Sequence, residues 1–405
     1  MVEFSVGLAH VYHLGDRVLP FRWLAQTASG RGRCPCAGGC GVNSGGPVRS
    51  ARPLVVRCGA FGDMVLVTAL IRDLSARFGG PVDVLTSGPW SEPLLRGQSG
   101  VGDVVTVRSR KTPYWLSRDQ QRAVRWLRAR GAGPTWCCDG NEAARPMLSR
   151  AGVPEPFIVD SRDHPLLAGE HATEQWRRLA QILPAAGVST PASPSAAAVE
   201  LATPAASSLE PGGAYLEVSE DQLADLDAWW RVRQLPDAPF VAIQVGNKRT
   251  MRRGVRRLAE NTKYWPNDRW AVVLRHMRAR LPAHAIVMLG TGPEFQLNQE
   301  IIALAGIDGI YNVADDLPVP RLTALLSRAQ GLITVDSGPA HAAAAVGCPL
   351  VVLFGKASTT LYRPWGRAGA DVKVLTGRVN GEANMLGITT EEVVAAWDAL
   401  ALRAG

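Results

Sequence analysis

The sequence predicts an α/β protein built from two parallel-sheet domains in tandem. Three observations carry that prediction. From residue 53 onward, short apolar runs alternate with amphipathic stretches, the pattern of strands covered on both faces and joined by helical crossovers. The alternation stops at a low-complexity Ala/Pro/Ser stretch, 184–213, and then restarts. And 405 residues exceed what one core ordinarily organises. The expected layout is an arm over 1–50, an N-terminal domain over 51–235, a C-terminal domain over 236–388 and a last helix within 389–405 that folds back on the first domain.

The elements follow in order. The arm is rich in Gly, Ser and Arg and buries too little apolar surface to order itself. "PLVVR" (53–57) is a strand, 63–78 an amphipathic helix, and "VDVLT" (82–86) a second strand. A short helix near 91–97, the strand "DVVTV" (103–107), a helix over 115–130 and the strand "PTWCC" (134–138) complete the first series. Helix 219–234 opens with a capping pair, Ser219 and Gln222. The second series runs through strands at 240–246, 285–290, 309–314, 331–336 and 349–355. Helices at 267–281, 294–305, 318–329 and 338–346 alternate with them, and 389–403 closes the chain. Such sheets bind ligands at the carboxyl ends of their strands, and two of them in tandem enclose a cleft.

Composition narrows the class. Hydrophobic residues at 46% and charged residues at 20% are ordinary for a soluble globular chain. No run reaches the roughly 18 apolar residues that span a bilayer, and the first residues lack a secretion signal, so a cytoplasmic location is expected. The net charge of +8 favours an anionic partner. No nucleic-acid motif is visible, which leaves a phosphorylated substrate or an anionic surface. The run 107–130 holds one acid, Asp119, among many Arg and Lys. With Trp115 and Trp126 it suits an anionic glycolipid or membrane surface; the plainer reading is a solvated helix face. Of the seven cysteines, Cys58 and Cys348 look like core thiols. Cys34, Cys36 and Cys40 offer three thiols, with His10 or His13 as a fourth ligand. A metal site there is the weaker reading against a flexible arm, because a closed zinc site wants four ligands.

Four places carry chemistry. "CGAFGDMVLVTALIRDL" turns from strand to helix through Gly59 and Gly62, small residues that permit close approach to a ligand such as a phosphate. Its G-x-x-G-D spacing is not the fingerprint of a nicotinamide cofactor. Asp63 reads either as a helix cap or as a general base facing the cleft. "LITVDSGPAHAAAAVGCPLVVLFG" ends a strand in Asp336, Ser337 and Gly338 and continues into a small-sided helix, a natural diphosphate site. His341 lies one turn in, as a phosphate ligand or a satisfied buried imidazole. In "ENTKYWPNDRW", Lys263 is either a ligand cation or a solvated charge. In "LGTGPEFQLNQEI", Glu294 either accepts from ribose hydroxyls or complements a helix dipole.

Taken together, these stretches resemble the ADP-heptose–lipopolysaccharide heptosyltransferases, glycosyltransferase family nine. The Gly-Asp turn looks like the family's N-terminal signature. "KYWP" is similar to its Lys-x-Trp-Pro segment, and "VDSGPAHAAAAVGCPLVVLFG" to its Asp-Thr/Ser-Gly-x-x-His signature. The resemblance runs over about 54–385 in order and spacing. It implies a GT-B fold, two Rossmann-like domains facing across a cleft, and an inverting, metal-independent transfer. It makes Asp63 the base and places Lys263 on the donor phosphates and Glu294 on the ribose. It sets Asp336, Ser337, Gly338 and His341 around the diphosphate and sugar, with Gln244, Gly246 and Asn247 on the same pocket. The implied donor is a nucleotide sugar, ADP-L-glycero-D-manno-heptose, and no cofactor is required. The implied acceptor is the inner core of lipopolysaccharide at the inner membrane. The alternatives are a protein or small-metabolite acceptor, or a sugar-nucleotide-binding protein without activity. The basic loop 248–257, the arm and the stretch near 190 depart from the family pattern and bear mainly on the acceptor.

Overall fold

A computed structural model describes residues 52–108, 111–139, 144–186, 212–247, 263–367 and 369–404. All belong to one compact unit, Arg49–Gly405. The arm with Cys34, Cys36 and Cys40, the basic loop 248–257 and most of the Ala/Pro/Ser stretch lie outside the described residues.

The first sheet contains β1 (Leu54–Arg57), β2 (Val82–Ser87), β3 (Val101–Val107), β4 (Thr135–Cys137) and β5 (Ile158–Asp160). All pair in parallel in the order β3-β2-β1-β4-β5. The second contains β6 (Phe240–Gln244), β7 (Ala285–Met288), β8 (Ile310–Asn312), β9 (Leu332–Val335), β10 (Leu350–Phe354) and β11 (Val372–Thr376). It too is parallel, in the order β11-β10-β9-β6-β7-β8. The chain direction of winding reverses beside β1 in one sheet and between β6 and β9 in the other. Loops leaving those strands diverge and open a crevice.

Side chains alternate across each strand and so divide the core into layers. Leu54, Val56 and Leu85 face helices Arg118–Arg130 and Arg145–Ala151 on one side of the first sheet. Val55, Val84 and Trp136 face helices Thr68–Phe78 and Ala172–Ala180 on the other. That second layer continues without a break into the second sheet, through Ala242, Val287 and Val352 and helices Val319–Arg328 and Gly338–Ala345. The far face of the second sheet, with Val241, Ile243 and Val351, is covered by helices Asn267–Arg280 and Thr390–Asp398.

Several expectations are corrected. The helix expected over 63–78 is two, Phe61–Leu66 and Thr68–Phe78, so Asp63 is the third helical residue and Ala60 the cap. The last helix covers Thr390–Asp398 and packs on helix Asn267–Arg280 and on β10 and β11. It therefore belongs to the second sheet and not to the first domain, because its apolar residues Val393 and Trp397 complete that sheet's far layer. Helix Glu220–Val232, assigned to the first domain by the 235 boundary, packs on helix Val319–Arg328. Trp229 donates to Asp316 there at 3.0 Å. Its cap is as read: Gln222 N donates to Ser219 Oγ at 3.3 Å, and Ser219 N to Gln222 Oε1 at 2.9 Å.

Candidate functional site

The site is assembled where helix Phe61–Leu66 of the first lobe packs on helix Gly338–Ala345 of the second. Two glycines make the approach possible. A Cβ on Gly62 would stand 2.7 Å from His341 Cδ2 and 3.5 Å from the Gly338 Cα. A Cβ on Gly338 would stand 2.3 Å from the Phe61 ring. Gly59 answers a third demand, since its Cβ would fall 2.4 Å from that of Asp63. Close approach to a ligand was the expectation for Gly59 and Gly62. Their Cβ positions are taken by Asp63 and His341, so the glycines also serve packing between the lobes and around the acid, and Gly59 borders the cavity over Asp63.

Asp63 follows Gly62 in helix Phe61–Leu66, its charge acts on His341 of the facing helix, and its side chain is one-third exposed. Its Oδ2 accepts from the Ala60 N–H at 2.8 Å and its Oδ1 from the Arg57 guanidinium at 3.0 Å. Arg57 also donates to the Cys138 carbonyl at 2.6 Å. A cavity of about 450 Å³ opens over Asp63, bordered by Arg57, Trp90, Arg108 and Asp139. The sequence reading missed these four. Arg57 had a usable signal, a charge closing an otherwise apolar strand; the others are loop residues that only the fold gathers.

The second lobe contributes the carboxyl ends of β6, β7 and β9. Lys263 Nζ stands 2.5 Å from Asp336 Oδ2 and donates to the Asp336 carbonyl at 3.1 Å. Lys263 is therefore tied to the residue that opens the small-sided helix rather than being a solvated charge. Asn247 holds the Lys263 carbonyl at 3.1 Å, and Ser337 donates to Gln244 Oε1 at 3.3 Å. These bonds place Gln244, Asn247, Lys263, Asp336 and Ser337 in one connected group.

Glu294 ends a tight turn, Gly292–Glu294, and is buried. Its Oε2 accepts from the Thr291 N–H at 2.8 Å and the Thr291 hydroxyl at 2.7 Å. Its Oε1 is buried with no hydrogen-bond partner and lies 2.5 Å from where a Cβ on Gly246 would stand. Burial raises the pKa of the Glu294 carboxyl above its ordinary value. An unsatisfied buried oxygen is costly, and a ligand hydroxyl would relieve it.

His341 is also buried, and its Nδ1 has no hydrogen-bond partner. Burial pushes its pKa down to about 4, against the pull of the Asp336 and Asp63 carboxylates. The imidazole is thus neutral at ordinary pH. His171 faces the same region from the first lobe. Its Nδ1 accepts from Thr173 N at 3.1 Å while Nε2 meets the Arg363 carbonyl at 2.8 Å, so Nε2 carries the proton. Among the described residues no cluster of His, Cys, Asp or Glu has a metal-binding arrangement, and no helix is long and apolar enough to cross a membrane.

Comparison with known proteins supports the same reading. Residues 250–378 match the model of glycosyltransferase family 9 (heptosyltransferase). Lipopolysaccharide heptosyltransferase 3 of Escherichia coli is 36% identical over 106 residues, 25% of this chain and 30% of that protein. Lipopolysaccharide heptosyltransferase 1 of Pseudomonas aeruginosa is 25% identical over 264 residues, 64% of this chain and 60% of that protein. The matched segments thus span from about a third to under two thirds of these relatives. Among solved structures, the glycosyl transferase family 9 protein of Veillonella parvula superimposes with a TM-score of 0.65 at 17% identity, covering 86% of this chain and 97% of that one. The ADP-heptose lps heptosyltransferase II of E. coli gives 0.62 at 18%, covering 86% and 98%. Residues 250–378 are thus similar to glycosyltransferase family 9 (heptosyltransferase), and the two-sheet fold is the GT-B fold of the solved heptosyltransferase structures.

Proposed function

We propose that the protein transfers a heptose from ADP-heptose to a hydroxyl of the lipopolysaccharide inner core, with inversion at the sugar carbon. The observation that supports this is the contact of helix Phe61–Leu66, which carries Asp63, with helix Gly338–Ala345, whose N-terminal end suits a diphosphate. In the reaction the acceptor hydroxyl gives its proton to Asp63. Its oxygen bonds to the anomeric carbon from the face opposite the diphosphate. The bond from that carbon to the phosphate oxygen breaks, and the electron pair leaves with ADP. Charge grows on the departing diphosphate, so a fixed cation and a helix N-terminus aimed at it lower the barrier.

The other site residues take the following parts. Lys263, held by Asp336, faces the donor phosphates, and Ser337, Gly338 and His341 line the diphosphate and sugar. Neutral His341 has one nitrogen without a partner to offer to an oxygen of the donor. Glu294 Oε1 accepts from a ribose hydroxyl, with Gly246 leaving it room, and Gln244 and Asn247 hold the pocket wall. This scheme uses no metal, because Lys263 and the helix tip provide the positive charge. ADP is the favoured nucleotide because related structures contain E. coli heptosyltransferase with ADP or with ADP-2-deoxy-2-fluoro heptose. The lipopolysaccharide acceptor rests on the named activities of the sequence relatives. The reaction is placed at the cytoplasmic face of the inner membrane, where exposed Trp115 and the exposed Lys111, Arg118 and Arg122 suit an anionic surface.

The test is turnover with ADP-heptose and a heptose-deficient core oligosaccharide, read as ADP release and as the anomeric configuration of the product. GDP- and UDP-sugars serve as competitors. Asp63→Asn is expected to lower kcat by about 10²–10⁴, the usual worth of a general base, while donor-induced thermal stabilisation persists. Wild-type turnover in that variant would remove Asp63 as the base. Stabilisation by UDP- or GDP-sugars and not by ADP-heptose would overturn the donor.

A further inference from the structure

We propose that Arg57 is the positioning residue for the Asp63 carboxylate, locking its plane for proton transfer. The proposal rests on the base assignment above and adds the group that keeps the base aimed. Arg57 is the last residue of β1, where every preceding strand residue is buried and apolar. Its side chain is only 19% exposed, yet it borders the cavity over Asp63. The guanidinium is itself fixed by the scaffold. One nitrogen donates to the Cys138 carbonyl just beyond β4, and the carbon lies 5.2 Å from the centre of the Trp176 ring in helix Ala172–Ala180. Another nitrogen donates to Asp63 Oδ1.

The two oxygens of Asp63 are thus held by separate donors, Oδ1 by Arg57 and Oδ2 by the Ala60 N–H. One donor alone would leave the carboxylate free to swing about its terminal torsion, which is broad and soft. Two donors remove that freedom. Each oxygen retains further acceptor capacity for a substrate hydroxyl, since a carboxylate oxygen accepts more than one hydrogen bond. Small misplacements of reacting groups are costly in rate, so an anchor outside the reaction path is felt mainly in kcat.

The experiment compares Arg57→Met and Arg57→Lys with wild type and with Asp63→Asn, using ADP-heptose and the core oligosaccharide. Arg57→Met is expected to lose at least tenfold in kcat, with the donor KM and the donor-induced melting shift within twofold of wild type. Arg57→Lys is expected to recover part of the loss, because an ammonium reaches one oxygen but not the carbonyl as well. A crystal structure of Arg57→Met gives a reading independent of turnover, in which the Asp63 carboxyl is expected to have left the Ala60 N–H. The proposal is overturned by kcat within twofold of wild type, by parallel loss of kcat and donor binding, or by an unmoved carboxyl. If Asp63→Asn turns over normally, or no turnover is found in wild type, the function reading fails on its own account. The crystal structure then decides the positioning of Asp63 alone.

Discussion

Acidification is expected to cost this protein stability through His341. The buried imidazole has its pKa lowered from 6.5 to about 4. In the unfolded chain it takes up a proton near pH 6.5, and in the folded state only near pH 4. Between those values the unfolded state binds more protons, so stability rises with pH there and is lost as pH falls. The full contribution is present above about pH 6.5 and is exhausted near pH 4. The shift is worth about 3 kcal/mol, and lowering the pH from 7 to 5 removes about 2 kcal/mol of it. The groups facing the ring set this balance: Asp336 and Asp63 favour the proton, while His171, Lys263 and burial oppose it, burial most strongly. Buried His171, whose pKa is also lowered by burial, adds a loss of the same sign. The assay is urea unfolding at pH 7, 6 and 5 for wild type and His341→Gln. The variant should lose less stability than wild type over that range, by about 2 kcal/mol. Equal losses in the two proteins would refute the assignment of a neutral buried imidazole at this position.

Three substitutions follow from the same geometry. Gly62→Ala inserts a methyl group against the His341 ring and should cost about 1–3 kcal/mol by overpacking, seen as a lower melting temperature; an unchanged melting temperature would show that the helices separate freely. Gly246→Ala drives its Cβ into Glu294 Oε1 and should abolish ADP-induced thermal stabilisation, while a preserved shift would take Glu294 away from the donor. Lys263→Ala removes a charge-assisted contact and should weaken donor or transition-state binding by about 1.5–3 kcal/mol; an unaltered kcat/KM excludes Lys263 from the site.

Strongly patterned segments were readable without coordinates. The runs that became β1, β6, β9 and β10 are apolar and β-branched because both faces of those strands are covered. The edges were harder. β5 is three residues between a Pro-rich turn and a charged loop, and β11, "VKVLT", is an edge strand that is only half-buried. Helices Arg145–Ala151 and Ala172–Ala180 are short, which leaves few turns over which an apolar period can show. The start of helix Phe61–Leu66 shifted because Asp63 caps the turn from within, through the Ala60 N–H, instead of preceding it.

Local chain chemistry settled which residues stand at the carboxyl ends of strands, since the strand-to-helix turns around Asp63, Glu294 and Asp336 are each written in a few consecutive residues. What it left open was who meets whom. The approach of Gly62 to His341, the tie of Lys263 to Asp336 and the support of Asp63 by Arg57 join residues up to 279 positions apart (341 − 62) or turn back across a loop. Those pairings depend on two sheets sharing one continuous apolar layer, a long-range property that no window of sequence contains. The same layer explains the placement of the last helix, whose apolar face fits either lobe by pattern but finds its uncovered surface only on the far side of the second sheet.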